Sequence, residues 1–66
     1  MSIRVNKEEH EYVEHETVSD LLRRLRFKFP LVVVAINGQV VLRESYAYTE
    51  VPDGAEISVI HQMSGG

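Results

Sequence analysis

The chain has 66 residues, no cysteine and a formal net charge of −3. That length bounds it to one small domain, whose core must hold without a disulfide. The acidic balance argues against nucleic acid as the main partner, and no apolar run approaches the roughly 18 residues a membrane helix requires.

The first residues, Ser2 to Asn6, alternate Ile3 and Val5 with polar neighbours, the period of a half-buried strand. Asn6 to Glu9 is polar and reads as a turn, and His10 to Glu14 as the returning strand of a hairpin. Two registers compete there. Placing His10 and Tyr12 inward is preferred, because the other choice buries Glu11.

Thr17 is a good helix N-cap, and Asp20 suits the positive end of the helix dipole. Val18, Leu21, Leu22, Leu25 and Phe29 follow the spacing of one apolar helix face, and Pro30 should end the helix. Arg23, Arg24, Arg26 and Lys28 fall on the opposite, solvated face.

Leu31 to Ile36 is a short valine-rich run and reads as a strand. Asn37-Gly38 is a strong signal for a two-residue hairpin turn, returning through Gln39 to Arg43. Glu44 to Pro52 lacks a period and should wrap the sheet edge, with Tyr46 or Tyr48 packed down. Asp53-Gly54 marks a turn before a last strand, Ala55 to His61. There Ile57 and Val59 share one face, and Glu56, Ser58 and Ile60 the other. The expected fold is α+β, a mixed sheet of order ββαβββ with one helix on one face. Residues 1–61 form the domain, and residues 62–66 a flexible tail.

That tail, Met63-Ser64-Gly65-Gly66, is thin, because glycine has no Cβ. It could thread a narrow channel in another protein and present a bare carboxylate. The five residues after His61 reach roughly 16 Å when extended. Beside it, Ile60 is apolar where polarity is expected, and Val33 and Ala35 alternate onto the same face. They form a candidate docking patch, although single apolar residues on a surface are ordinary. His10, His15 and His61 fit no metal-ligand spacing. The carboxylates are scattered and no phosphate-binding glycine loop is present, so the chain does not read as an enzyme.

A hairpin, a helix, a second hairpin, a last strand and a Gly-Gly end resemble the ubiquitin-like β-grasp pattern. Within it the chain is most similar to the ThiS family of thiamine-pathway sulfur carriers, with the small subunit of molybdopterin synthase as a sibling. The stretches that carry the likeness are Val5-Asn6, Thr17 to Leu22, Val34 to Arg43, Val51 to Ile57, Ile60-His61 and Gly65-Gly66. Ala55 and Ser64 depart from it, standing where an acidic residue and a third glycine are common.

The resemblance implies that a partner of the ubiquitin-activating type adenylates the Gly66 carboxylate with ATP and Mg²⁺. The chain itself would bind no cofactor. Sulfur would then be held as a thiocarboxylate and passed to an acceptor such as thiazole synthase. Gly65 and Ser64 would form the slim lead and Met63 a flexible contact. A monomer in the cytoplasm is the expectation, the N-terminus having no signal-peptide pattern. A sulfur carrier for molybdopterin or tRNA thiolation, a protein modifier joined through Gly66 to lysine, and a plain interaction module are the alternatives.

Overall fold

The computed structural model of the protein describes residues 1–27 and 32–61, with only the backbone of His61 included. The elements are β1 (Ser2–Val5), β2 (Glu8–Glu11), α1 (Val18–Arg24), β3 (Val32–Ile36), β4 (Gln39–Val41), a single 3₁₀ turn at Arg43–Ser45, and β5 (Glu56–His61). The strands form one sheet in the order β2-β1-β5-β3-β4. β1 and β5 run parallel in its middle, and every other pairing is antiparallel. The parallel pair requires a crossover, and α1 lies within it.

The helix closes one face. Val18, Leu21 and Leu22 are fully buried, and opposite them lie Ile3, Val5, Val32, Val34, Ile57 and Val59. Full burial of such a side chain stabilises by about 1.5–3 kcal/mol. Tyr46 is the tyrosine that packs down, its hydroxyl donating to the Val32 carbonyl at 3.3 Å. Tyr48 is 81% exposed.

The first hairpin turns earlier than expected. Asn6 and Lys7 alone make the turn, both with positive φ (52° and 70°). This is the two-residue geometry that matches strand twist. Glu8 and Glu9 therefore belong to β2, which ends at Glu11 and not Glu14. A run of glutamates reads as a turn, yet an edge strand tolerates charge and is guarded by it. The preferred facing holds: Ile3 pairs with His10, Tyr12 packs against the core rim, and Glu11 is exposed.

The helix is shorter than its apolar stripe suggests. Its N-terminus is a capping box, with the Thr17 hydroxyl accepting from the Asp20 N–H and the Asp20 carboxylate from the Thr17 N–H. Those bonds from Thr17, joined by Arg23, hold the Asp20 carboxyl below its ordinary pKa. At the other end Arg26 adopts φ 63°. The Phe27 N–H bonds the Leu22 carbonyl at 2.9 Å and the Arg26 N–H bonds that of Arg23 at 3.2 Å. This is a Schellman stop, and Phe27 and Leu22 hold the positions where an apolar contact commonly accompanies it. The helix thus ends at a left-handed arginine, upstream of Pro30. Lys28, Phe29, Pro30 and Leu31 lie outside the described residues.

Arg24 stays on the exposed face of the helix but has a specific partner there. Its guanidinium forks onto Glu16, Nε to Oε2 at 2.8 Å and Nη2 to Oε1 at 2.9 Å, and Nη2 also reaches the Glu11 carbonyl at 3.0 Å. Glu16 is only 6% exposed, so its charge requires this partner. The hydrogen bonds that Arg24 donates to Glu16 raise its pKa above the ordinary value. β4 stops at Val41, two residues before the expected end, where the chain tightens into the 3₁₀ turn.

Two stability measurements follow from these local arrangements. Arg26→Gly removes the cost of a side chain at a left-handed position and should stabilise the fold by about 1 kcal/mol, read as a higher urea midpoint at unchanged slope. Arg24→Met strands Glu16 and should destabilise by about 2 kcal/mol, most of it recovered when Glu16→Met is added.

Candidate functional site

Among the described residues one helix covers one face of the sheet, and the other face is open. Alternation along β5 sends Ile57 and Val59 to the helix and leaves Glu56, Ser58 and Ile60 exposed. The register of β3 with β5 pairs Val33 directly with Ile60 and Ala35 with Ser58. The three residues named as a patch are therefore neighbours on one surface. Ile60 is 60% exposed, while Val33 and Ala35 are half-buried.

Two further apolar residues join them. Ala35 pairs with Val40, which is 66% exposed, and alternation places Leu42, 62% exposed, beyond it. The signal for Val40 was present in the sequence. A two-residue turn at Asn37-Gly38 makes Ile36 face Gln39, and so Ala35 face Val40.

The other end of the same face is charged. Arg4 pairs with Glu9 on one side and with Glu56 on the other, and Glu11 stands opposite Ser2. All four charged residues are exposed, with three carboxylates to one guanidinium. The open face is thus apolar toward β3, β4 and the end of β5, and acidic toward β1 and β2.

Elsewhere the chemistry is sparse. Hollows of about 270 Å³ and 190 Å³ flank β4, both below the roughly 300 Å³ at which small-molecule sites begin. Among the described residues, no group of three or more acidic or histidine side chains is placed to hold a metal ion. Nor does any described helix have the length and apolarity to cross a membrane. His10 lies 3.4 Å from Glu8, and the exposed His15 lies between Glu14 and Glu50. Of the arginines on α1, Arg23 pairs with Asp20 and Arg24 with Glu16. The tail residues Met63, Ser64, Gly65 and Gly66 lie outside the described residues; β5 ends at His61.

A five-stranded mixed sheet wrapped on one helix, with parallel strands at its centre, is the β-grasp fold of the ubiquitin-like proteins. Residues 3–66 match the model of the ThiS family. The crystal structure of the thiamine biosynthesis protein ThiS from Geobacter metallireducens is similar with a TM-score of 0.82 and 32% sequence identity, each chain covered in full. No curated protein sequence matches significantly. The chain belongs to the ThiS family, and as a member it is a small ubiquitin-like sulfur carrier rather than an enzyme.

The open face can be tested for its independence from the core. Ile60→Asp should change stability by no more than about 1 kcal/mol, because an exposed strand position mainly registers β propensity. Val59→Ala, one residue earlier and facing the helix, should cost about 2 kcal/mol. Urea unfolding of both variants checks the contrast, and comparable losses would place Ile60 in the core.

Proposed function

We propose that this chain carries sulfur for thiamine biosynthesis as a thiocarboxylate on Gly66. Membership of the ThiS family supports the sulfur-carrier role, and the similarity to a thiamine biosynthesis protein supports the pathway. The observation that bears most directly on mechanism is the apolar half of the open face, which includes Ile60 near the end of β5.

A carboxylate is a poor acyl donor, because its leaving group would be oxide. Attack of a Gly66 carboxylate oxygen on the α-phosphorus of ATP expels pyrophosphate and forms an acyl adenylate. A hydrosulfide-equivalent nucleophile supplied by a partner then adds at the acyl carbon and displaces AMP. The sulfur now sits on the carrier and can attack an electrophilic acceptor.

ATP and Mg²⁺ belong to the adenylating partner in this scheme. The sulfur-accepting partner is an enzyme such as thiazole synthase. Gly65 and Ser64 form the lead that enters the partner's channel, with Met63 against its mouth. Ile60, Val33 and Ala35, joined by Val40 and Leu42, form the docking surface, since large apolar patches mark interaction sites. The acidic end of the face fits a partner with basic residues at the corresponding positions.

Intact-mass measurement of the protein from cells tests the chemistry. The expected species has one carboxylate oxygen replaced by sulfur at Gly66, and deletion of Gly65 and Gly66 should abolish it. Conjugates to larger proteins would instead make it a modifier, and an unaltered mass with the activating enzyme present would overturn the reading. Ile60→Asp should weaken binding to the adenylating enzyme about tenfold or more, equivalent to about 1.4 kcal/mol.

A further inference from the structure

β5 is paired with β1 for only a short distance. Arg4 aligns with Glu56 and Val5 with Ile57, and the Asn6 N–H donates to the Ile57 carbonyl at 2.9 Å. There β1 ends and the chain folds back through Asn6 and Lys7 into β2. β5 continues for four more residues, Ser58 to His61. On this edge the Val59 N–H and carbonyl would lose their backbone partner.

The side chain of Asn6 takes that place. The Val59 N–H donates to Asn6 Oδ1 at 2.8 Å, and Asn6 Nδ2 donates to the Val59 carbonyl at 3.0 Å. A carboxamide has the donor and acceptor of a peptide unit, so the pair extends the ladder by one step after β1 has turned away. The left-handed backbone at Asn6, φ 52°, both opens the turn and directs the amide onto β5. Asparagine tolerates that backbone better than most residues.

On the other edge, β3 pairs with β5 as far as Val32 with His61. Without Asn6, Val59 to His61 would be held from one side only. We propose that Asn6 is a positioning residue, which fixes where β5 leaves the sheet and thereby how the residues after it are presented. Its consequence for sulfur transfer rests on the carrier reading above; its grip on β5 does not.

The fold supplies a matched control. Asn37, φ 50°, is the first residue of the other hairpin turn, and its Oδ1 accepts the Glu56 N–H at 2.9 Å. It grips the same strand with the same kind of side chain, at the entry rather than the exit. Glycine preserves the left-handed turn at either position and removes only the amide.

The experiment compares Asn6→Gly with Asn37→Gly in the full chain. Amide exchange by NMR reads the strand, and ATP–pyrophosphate exchange with the adenylating enzyme reads presentation of the carboxylate. Asn6→Gly should raise exchange at Ile60 about tenfold beyond any change shared with the Leu21 and Leu22 amides of the helix. It should lower kcat/KM for adenylation about tenfold, since small misplacements of a reacting group are costly, whereas Asn37→Gly should stay within about twofold of the parent.

Equal effects of the two glycines on Ile60 exchange, or equal effects on adenylation, would overturn the proposal. If Asn6→Gly does not fold, Asn6→Asp replaces it, with Asn37→Asp as control. The aspartate keeps the acceptor for Val59 N–H but sets an oxygen against the Val59 carbonyl, whereas at position 37 it retains the one bond in use. Absence of adenylation in the parent chain would count against the carrier reading alone. Exchange at Ile60 would still uphold or overturn the Asn6 grip.

Discussion

The packing of one two-turn helix on one face of a five-stranded sheet is the interaction on which the rest of the structure depends. Val18, Leu21 and Leu22 supply the helix side of the core, and the inward residues of β1, β3 and β5 supply the sheet side. No disulfide is available to a chain without cysteine. The devices around the helix are correspondingly specific: a capping box at Thr17, a Schellman stop at Arg26, and a forked ion pair from Arg24 that makes the burial of Glu16 tolerable. The same geometry leaves the opposite face of the sheet without a helix. The apolar residues there cannot be accounted for by the core.

Strand order turns this into a functional layout. β5 is the last strand in sequence but the middle strand in space, with β1 on one side and β3 on the other. A central strand is among the last elements of a sheet to open, because both its edges are paired. The two hairpin turns add a second level of restraint, each contributing an asparagine whose side chain bonds β5. The last described strand is therefore a well-held central one rather than a fraying edge.

Much of this was legible in the sequence, and the exceptions have physical causes. The period of two in Ser2 to Val5 and Glu56 to Ile60, and the asparagine-glycine turn, depend on local backbone chemistry and placed those elements correctly. The inward facing of Tyr12 followed from the cost of burying Glu11. The patch of Val33, Ala35 and Ile60 followed from alternation alone, and the strand register makes it contiguous. Three features depended on tertiary context. The glutamates of β2 are tolerated because that strand is an edge. The helix ends at Arg24 because the left-handed residue Arg26 closes it, although the apolar stripe runs on. Arg24, still exposed, is paired because Glu16, eight residues earlier, is buried beside it. Asn6 belongs with these, since an asparagine at a turn advertises its backbone preference and not a side-chain partner 53 residues away.

As the proposed docking surface, the two halves of the open face would have different physical uses. Apolar area supplies affinity once water is excluded, whereas exposed charge chiefly steers encounter and fixes orientation. The carboxylates of Glu9, Glu11 and Glu56 lie at the end of the face away from Leu42 and Ile60, so a partner that reads both halves can seat the domain in one orientation only. Ile60 is the point where this surface meets the strand that carries the end of the chain. On the docking reading proposed above, a contact made there would hold the last described strand as well as the rest of the domain. On the proposed reading, recognition and delivery would be one mechanical event, and the domain would determine where a partner's chemistry occurs.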